Sequence, residues 1–155
     1  MPRFSSSTDG AELFYRDYSP EQRPPPFEAK EQSRAAQNLT LVFLHQWPLS
    51  SRMYDSMLFK LCETNRFRCI APDKRGFGKS DWTGNTSGAG MGYDVLAQDV
   101  VDLLEKLQPG PFVLIASSIG TGEALLAHSK SSYVQANCRV CLMSQFLDTG
   151  RLTKQ

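Results

Sequence analysis

The chain has 155 residues, 41% of them hydrophobic and 21% charged, with a net charge of +1. That length suits one domain with one core, which at this size buries roughly 68–70% of the surface its unfolded chain exposes. The charge gives no electrostatic case for nucleic acid or an anionic membrane as partner, and no apolar run reaches the roughly 18 residues of a membrane span.

Met1-Pro2-Arg3-Phe4-Ser5-Ser6-Ser7 carries no apolar signal core, so a cytoplasmic protein is expected. Free thiols are then the expectation for Cys62, Cys69, Cys138 and Cys141. Cys138 and Cys141 have CxxC spacing, but positions three apart on a strand face opposite ways, which favours structural cysteines over a redox or metal pair.

Residues 3–18 read as a hairpin: a strand at Phe4-Ser5-Ser6-Ser7, a turn at Thr8-Asp9-Gly10, and a second strand from Ala11 to Tyr18. Residues 19–38, with Pro20, Pro24, Pro25 and Pro26 among charged and polar residues, read as a surface insertion within a single domain spanning 1–155. Leu39 to His45 is continuously apolar, the pattern of a strand covered on both faces. Ser50 or Ser51 can cap a helix whose apolar positions are Met53, Met57, Leu58 and Leu61. Phe67 to Pro72 is the next strand, and residues 74–92 form a long glycine-rich loop. Tyr93 to Leu107 predicts an amphipathic helix with Leu96, Val100, Leu103, Leu104 and Leu107 on one face, stopped by Pro109-Gly110-Pro111. A strand at Phe112–Ser117, a helix at Ile119–Ser129, and a strand at Arg139–Ser144 complete the order. Alternation of this kind predicts an α/β fold: a three-layer sandwich with a mostly parallel sheet and an antiparallel N-terminal hairpin.

The strand at 112–117 runs into a turn of small residues at Ser117-Ser118-Ile119-Gly120. A serine nucleophile presented between a strand and a helix needs small residues two before and two after it, because the two backbones approach closely. Ser118 has Ala116 and Gly120 at those positions, whereas Ser117 would have Ile115 and Ile119. Ser118 is therefore the candidate. The ending Gly78-Lys79-Ser80 imitates a phosphate-binding loop, but that pattern requires glycine where Asp73 stands, and no helix can start at Trp82-Thr83-Gly84 to hold the anion.

Three segments carry a family resemblance: Leu44-His45-Gln46-Trp47-Pro48-Leu49-Ser50, Asp73-Lys74-Arg75-Gly76-Phe77-Gly78-Lys79-Ser80, and Ala116-Ser117-Ser118-Ile119-Gly120-Thr121-Gly122-Glu123. In this order and on these elements they resemble the α/β-hydrolase superfamily, in particular its cofactor-free (non-haem) haloperoxidase and esterase branch, over about residues 4–146. The resemblance implies hydrolysis of an ester or related acyl bond in a small-molecule substrate. Ser118 would be the nucleophile and the backbone N–H groups of Trp47 and Ile119 the oxyanion hole, with no metal or organic cofactor. Arg75-Gly76-Phe77-Gly78 would shape a tight loop without taking part in the chemistry.

Gln46 stands where the family carries glycine. If that position were left-handed, glutamine would cost on the order of 1–2 kcal/mol and would tilt the Trp47 amide. The resemblance also implies that the triad acid and histidine follow the sixth strand. The chain holds only His45 and His128, and His128 lies about 15 Å along a helix from Ser118. The sequence therefore reads as the N-terminal half or so of such a domain, lacking the acid and base that activate the serine. Its last strand would be an open apolar edge, suited to self-association, which gives an alternative reading as a non-catalytic protein acting through that edge.

Overall fold

The computed structural model describes residues 2–20, 39–81 and 91–144. The predicted insertion at 19–38 falls almost wholly outside these residues, as do the middle of the 74–92 loop and the polar tail.

Six strands, β1 (Arg3–Ser5), β2 (Glu12–Tyr18), β3 (Thr40–Leu44), β4 (Arg68–Pro72), β5 (Phe112–Ser117) and β6 (Cys138–Ser144), form one sheet in the order β1-β2-β4-β3-β5-β6. The first two pairings are antiparallel and the other three parallel. The helices are α1 (Asp55–Glu63), α2 (Tyr93–Leu107), α3 (Ile119–Lys130) and α4 (Ser132–Asn137), with a 3₁₀ turn at Ser51–Tyr54 before α1. The expected sandwich with its N-terminal hairpin is the architecture found.

The layers follow from alternation along the central strands. In β3, Val42 and Leu44 join the core with Ile70, Leu103, Leu104, Phe112 and Leu114, beneath α2 and α3. Leu41 and Phe43 face the other way, packing with Tyr54, Leu58, Cys69, Ala71 and Val113 beneath α1. A strand buried on both faces cannot show polar alternation, which is why Leu41-Val42-Phe43-Leu44 is an unbroken apolar run.

Boundaries differ from the sequence reading where side chains act on the backbone. β1 stops at Ser5, because Ser6 leaves the sheet to donate its hydroxyl to Asp99 Oδ1 at 2.7 Å, while Ser7 N–H donates to Asp102 Oδ2 at 2.6 Å. Ser50 does cap, accepting from the Arg52 N–H, but the turn it opens is 3₁₀ and the α-helix begins at Asp55. Met53 and Met57, expected on the buried stripe, are 40% and 50% exposed. Leu58 is buried as expected and Leu61 half-buried, while Tyr54 and Cys62 take the places of the two methionines on the buried stripe. The α2 stripe holds as predicted, and Gln108 ends that helix in a left-handed conformation just before Pro109. Helix α4 was not anticipated. The Ser131 hydroxyl caps it by accepting from the Val134 N–H at 3.2 Å.

Cys62, Cys69 and Cys138 are free thiols. Burial pushes the Cys69 thiol up to about 12, which keeps it protonated and unreactive. Among the described residues, no helix is long and apolar enough to cross a membrane.

Candidate functional site

Ser118 sits between the end of β5 and the start of α3 with φ 51° and ψ −118°, and its side chain is exposed. A residue with a Cβ adopts such angles only at a cost of about 1–3 kcal/mol, supplied by the surrounding packing. That packing is visible at Gly120. A Cβ there would lie 2.8 Å from the Leu44 carbonyl oxygen, so the first turn of α3 presses directly on the end of β3. The Ser118 carbonyl accepts from the Thr121 N–H at 2.9 Å and from the Thr121 hydroxyl at 2.7 Å, closing the turn. Ile119, the first residue of α3, presents one of the N–H groups that a helix leaves without an intrahelical acceptor.

β3 and β5 are parallel neighbours with Leu44 opposite Ala116, so the residues after each strand emerge side by side. The segment carrying Trp47, 63% exposed, therefore leaves the sheet beside the turn carrying Ser118 and Ile119. Trp47 precedes Pro48 through a cis peptide bond, and Gln46 C=O accepts from the Leu49 N–H at 3.0 Å.

Strain at Gln46 is absent. The described non-glycine residues with positive φ are Arg66, Gln108 and Ser118. Instead of a left-handed backbone, the Gln46 side chain bridges the two strand ends, with Oε1 accepting from Ser117 Oγ at 3.2 Å. The neighbouring serine is thereby engaged, while Ser118 faces solvent.

His45 is fully buried and both ring nitrogens are used. Nε2 accepts from the Lys74 N–H at 3.0 Å, which leaves Nδ1 to donate to the Gln46 carbonyl at 3.0 Å. Burial, reinforced by Lys74, lowers its pKa to about 4, so the ring is neutral at pH 7. A histidine locked in this way positions backbone and takes no proton from a serine. His128 is exposed near the end of α3.

The loop after β4 is built around Asp73, which is buried. Its carboxylate accepts from the Ser51 N–H at 2.7 Å and the Lys79 N–H at 2.8 Å. Gly78, at φ 58°, passes so close that a Cβ would strike that carboxylate. The Lys79 amide, in the segment that imitated a phosphate cradle, is thus held on a carboxylate of the chain itself. Arg75 is buried and donates to both Asp99 oxygens at 2.7 Å, to Asp9 Oδ2 at 2.7 Å and to Ser6 Oγ at 2.9 Å. The Arg75 guanidinium holds the Asp9 carboxyl below its ordinary range. Asp99 is raised, because burial outweighs the same partner.

Sequence reasoning missed Lys74 and Glu123. Lys74 Nζ lies 3.0 Å from Glu123 Oε2, with the two side chains 5% and 1% exposed. Burial raises Glu123 to about 7 and lowers Lys74, against the pull of each on the other. The available signal was a glutamate on the α3 face otherwise made of Gly120, Thr121, Ala124 and Ala127, which has no reason to be charged unless a cation meets it.

Comparison with known proteins bears on this arrangement. A family model described as alpha/beta hydrolase fold matches residues 40–143, spanning β3 to β6. The chain belongs to the α/β-hydrolase fold family. Among curated relatives, a non-heme chloroperoxidase of Streptomyces lividans is 35% identical over 119 residues, 76% of this chain and 36% of that protein. A bifunctional esterase/perhydrolase of Acinetobacter calcoaceticus is 34% identical over 123 residues, 77% of this chain and again 36% of the relative. This α/β-hydrolase chain therefore spans about a third of the length of the relatives it matches. A bromoperoxidase structure from Bacillus anthracis superposes with a TM-score of 0.63 at 25% identity, covering 92% of this chain and 44% of that one. An esterase structure from Exiguobacterium antarcticum gives 0.65 at 24% identity, 93% and 45%, and shows likeness of fold.

Proposed function

We propose that this chain carries the nucleophile half of a serine hydrolase acting on ester or related acyl bonds. Ser118 would attack the carbonyl carbon, and the N–H groups of Trp47 and Ile119 would stabilise the oxyanion. The observation that carries this reading is the strained, exposed Ser118 between β5 and α3, in a chain whose curated relatives include an esterase/perhydrolase and haloperoxidases. The proton acceptor would come from outside the described residues, since His45 is locked neutral and His128 lies far along α3. A hydroxyl without such a base is a poor nucleophile, although a donor pair and binding surface alone retain about 10³–10⁴ of rate over water.

The test uses the chain as it stands, with a fluorophosphonate probe, imidazole as external base, and mass spectrometry to map the adduct. Ser118 is expected to label slowly alone, faster with imidazole, and ahead of exposed serines such as Ser56 and Ser132. Labelling of Ser118 no faster than those serines at any imidazole concentration would remove the hydrolase reading.

A second reading rests on β6. It pairs with β5 along one edge and has no strand on the other among the described residues. We read that edge as suited to pairing with a second copy of the chain, in a protein acting by association. A monodisperse monomer by sedimentation at working concentration would count against it.

A further inference from the structure

A charge pair as deeply buried as Lys74–Glu123 calls for a reason. Taking both ions out of water costs several kcal/mol each, and apolar side chains of similar volume are often as stabilising or more so. Stability alone does not account for the pair. Its position offers another account.

Glu123 is in the second turn of α3, the helix that begins one residue after Ser118. Lys74 follows Asp73 in the loop after β4, and its own N–H holds His45, whose ring in turn holds the carbonyl of Gln46, next to Trp47. Gln46 reaches back to Ser117. The result is a closed ring of contacts: Ser117 and Ser118, α3, Glu123, Lys74, His45, Gln46, and Ser117 again. The Lys74–Glu123 contact is the ionic link in that ring. It holds the two groups 3.0 Å apart by charge attraction, which a Met–Leu contact would lack.

We propose that Lys74 and Glu123 are positioning residues that hold the Ser118 turn in register with the segment carrying Trp47. The proposal deepens the hydrolase reading and, in its catalytic consequence, rests on it. The other charged and titratable groups around the pair are accounted for: Asp99 on α2 is bound by Arg75, Asp73 is engaged by two amides, and His45 is neutral. Glu123 Oε1 and Lys74 Nζ have no hydrogen-bond partner among the described residues, so the pair is held by charge and packing alone. A cavity of about 20 Å³ lies against Lys74, Glu123, Asp99, Leu44 and Leu96.

The test compares the full chain with three variants: the apolar pair Lys74→Met with Glu123→Leu, the single change Glu123→Gln, and the conservative change Lys74→Arg. Two readouts are taken on each: backbone amide NMR shifts, and imidazole-assisted fluorophosphonate labelling of Ser118. Thermal melting checks the fold. The apolar pair is expected to melt near the wild-type temperature, to shift the amides of Ile119, Gly120 and Trp47, and to slow labelling by about 10²-fold, the effect of misplacement by roughly 1 Å. Lys74→Arg should keep the wild-type amide pattern. Glu123→Gln, which preserves shape, gives the same comparison if the apolar pair does not fold. Unchanged amides at Ile119 and Trp47 in a folded variant lacking the ion pair would overturn the proposal. Failure of the wild-type chain to label at Ser118 would overturn the hydrolase reading alone, since the amides judge the pair independently.

Discussion

Replacing Ser118 by alanine and, separately, by glycine distinguishes backbone strain from side-chain chemistry. At φ 51° and ψ −118° the residue occupies a region that a Cβ makes costly, by about 1–3 kcal/mol. Alanine keeps the Cβ and therefore the strain. It removes only an exposed hydroxyl, so its stability should lie within about 0.5 kcal/mol of wild type. Glycine relieves the strain but widens the unfolded ensemble, which costs about 0.4–1 kcal/mol. The difference leaves Ser118→Gly more stable than Ser118→Ala by about 1 kcal/mol, equivalent to roughly 2–4 °C in melting temperature for a chain of this size. Urea denaturation followed by far-ultraviolet circular dichroism measures the comparison, with unchanged m values showing that the unfolded reference is comparable. A glycine variant no more stable than the alanine variant would refute the reasoning, because the turn would then be relaxed.

Three further outcomes are expected. Gly120→Val should destabilise the fold by about 1–3 kcal/mol, since its Cβ would start 2.8 Å from the Leu44 carbonyl oxygen; a thermal melt unchanged from wild type would contradict the close approach of α3 to β3. Leu104→Ala, in the core beneath α2, should cost about 2–5 kcal/mol in urea midpoint analysis. His45 has a folded-state pKa lowered from 6.5 to about 4, so its contribution is fully present above pH 6.5 and is lost as pH falls through 4. Between those limits it amounts to about 3 kcal/mol. Comparing wild type with His45→Gln from pH 7 to pH 4 isolates it. Glu123, whose raised pKa acts with the opposite sign over an overlapping range, is common to both proteins. Parallel pH profiles would show that His45 is not held neutral by burial.

The fold was legible because its decisive segments are extreme in composition. Residues 41–44 and 112–116 are apolar throughout, and 93–107 carries an apolar stripe at helical spacing. The tight strand-to-helix turn at Ser118 was legible because steric crowding there admits few residues two positions away, and Gly120 indeed meets Leu44. The part that escaped was set by partners remote in sequence. Gln46 looked like a strained glycine substitute, yet the backbone avoids positive φ there and the side chain found Ser117. Lys74 looks like an ordinary surface residue until the loop after β4 is laid against α3, where it meets Glu123. Met53 and Met57 fit a helical stripe on paper, but the 3₁₀ turn before α1 rotates the buried face onto Tyr54 and Cys62. Helix α4 has six residues, too few to display a periodic face.

Arg75 also has a kinetic consequence. Its partners come from the hairpin turn, 66 and 69 positions away, and from the middle of α2, 24 positions away. No segment can make these contacts by itself, so the guanidinium is satisfied only once hairpin, loop and helix have docked. Interactions completed after the transition state leave the folding rate nearly untouched and slow unfolding instead. Breaking a buried charge pair costs about 3–5 kcal/mol. The expected outcome for Arg75→Met is faster unfolding with a folding rate close to wild type in stopped-flow urea kinetics; a slowed folding limb would place these contacts in the transition state instead.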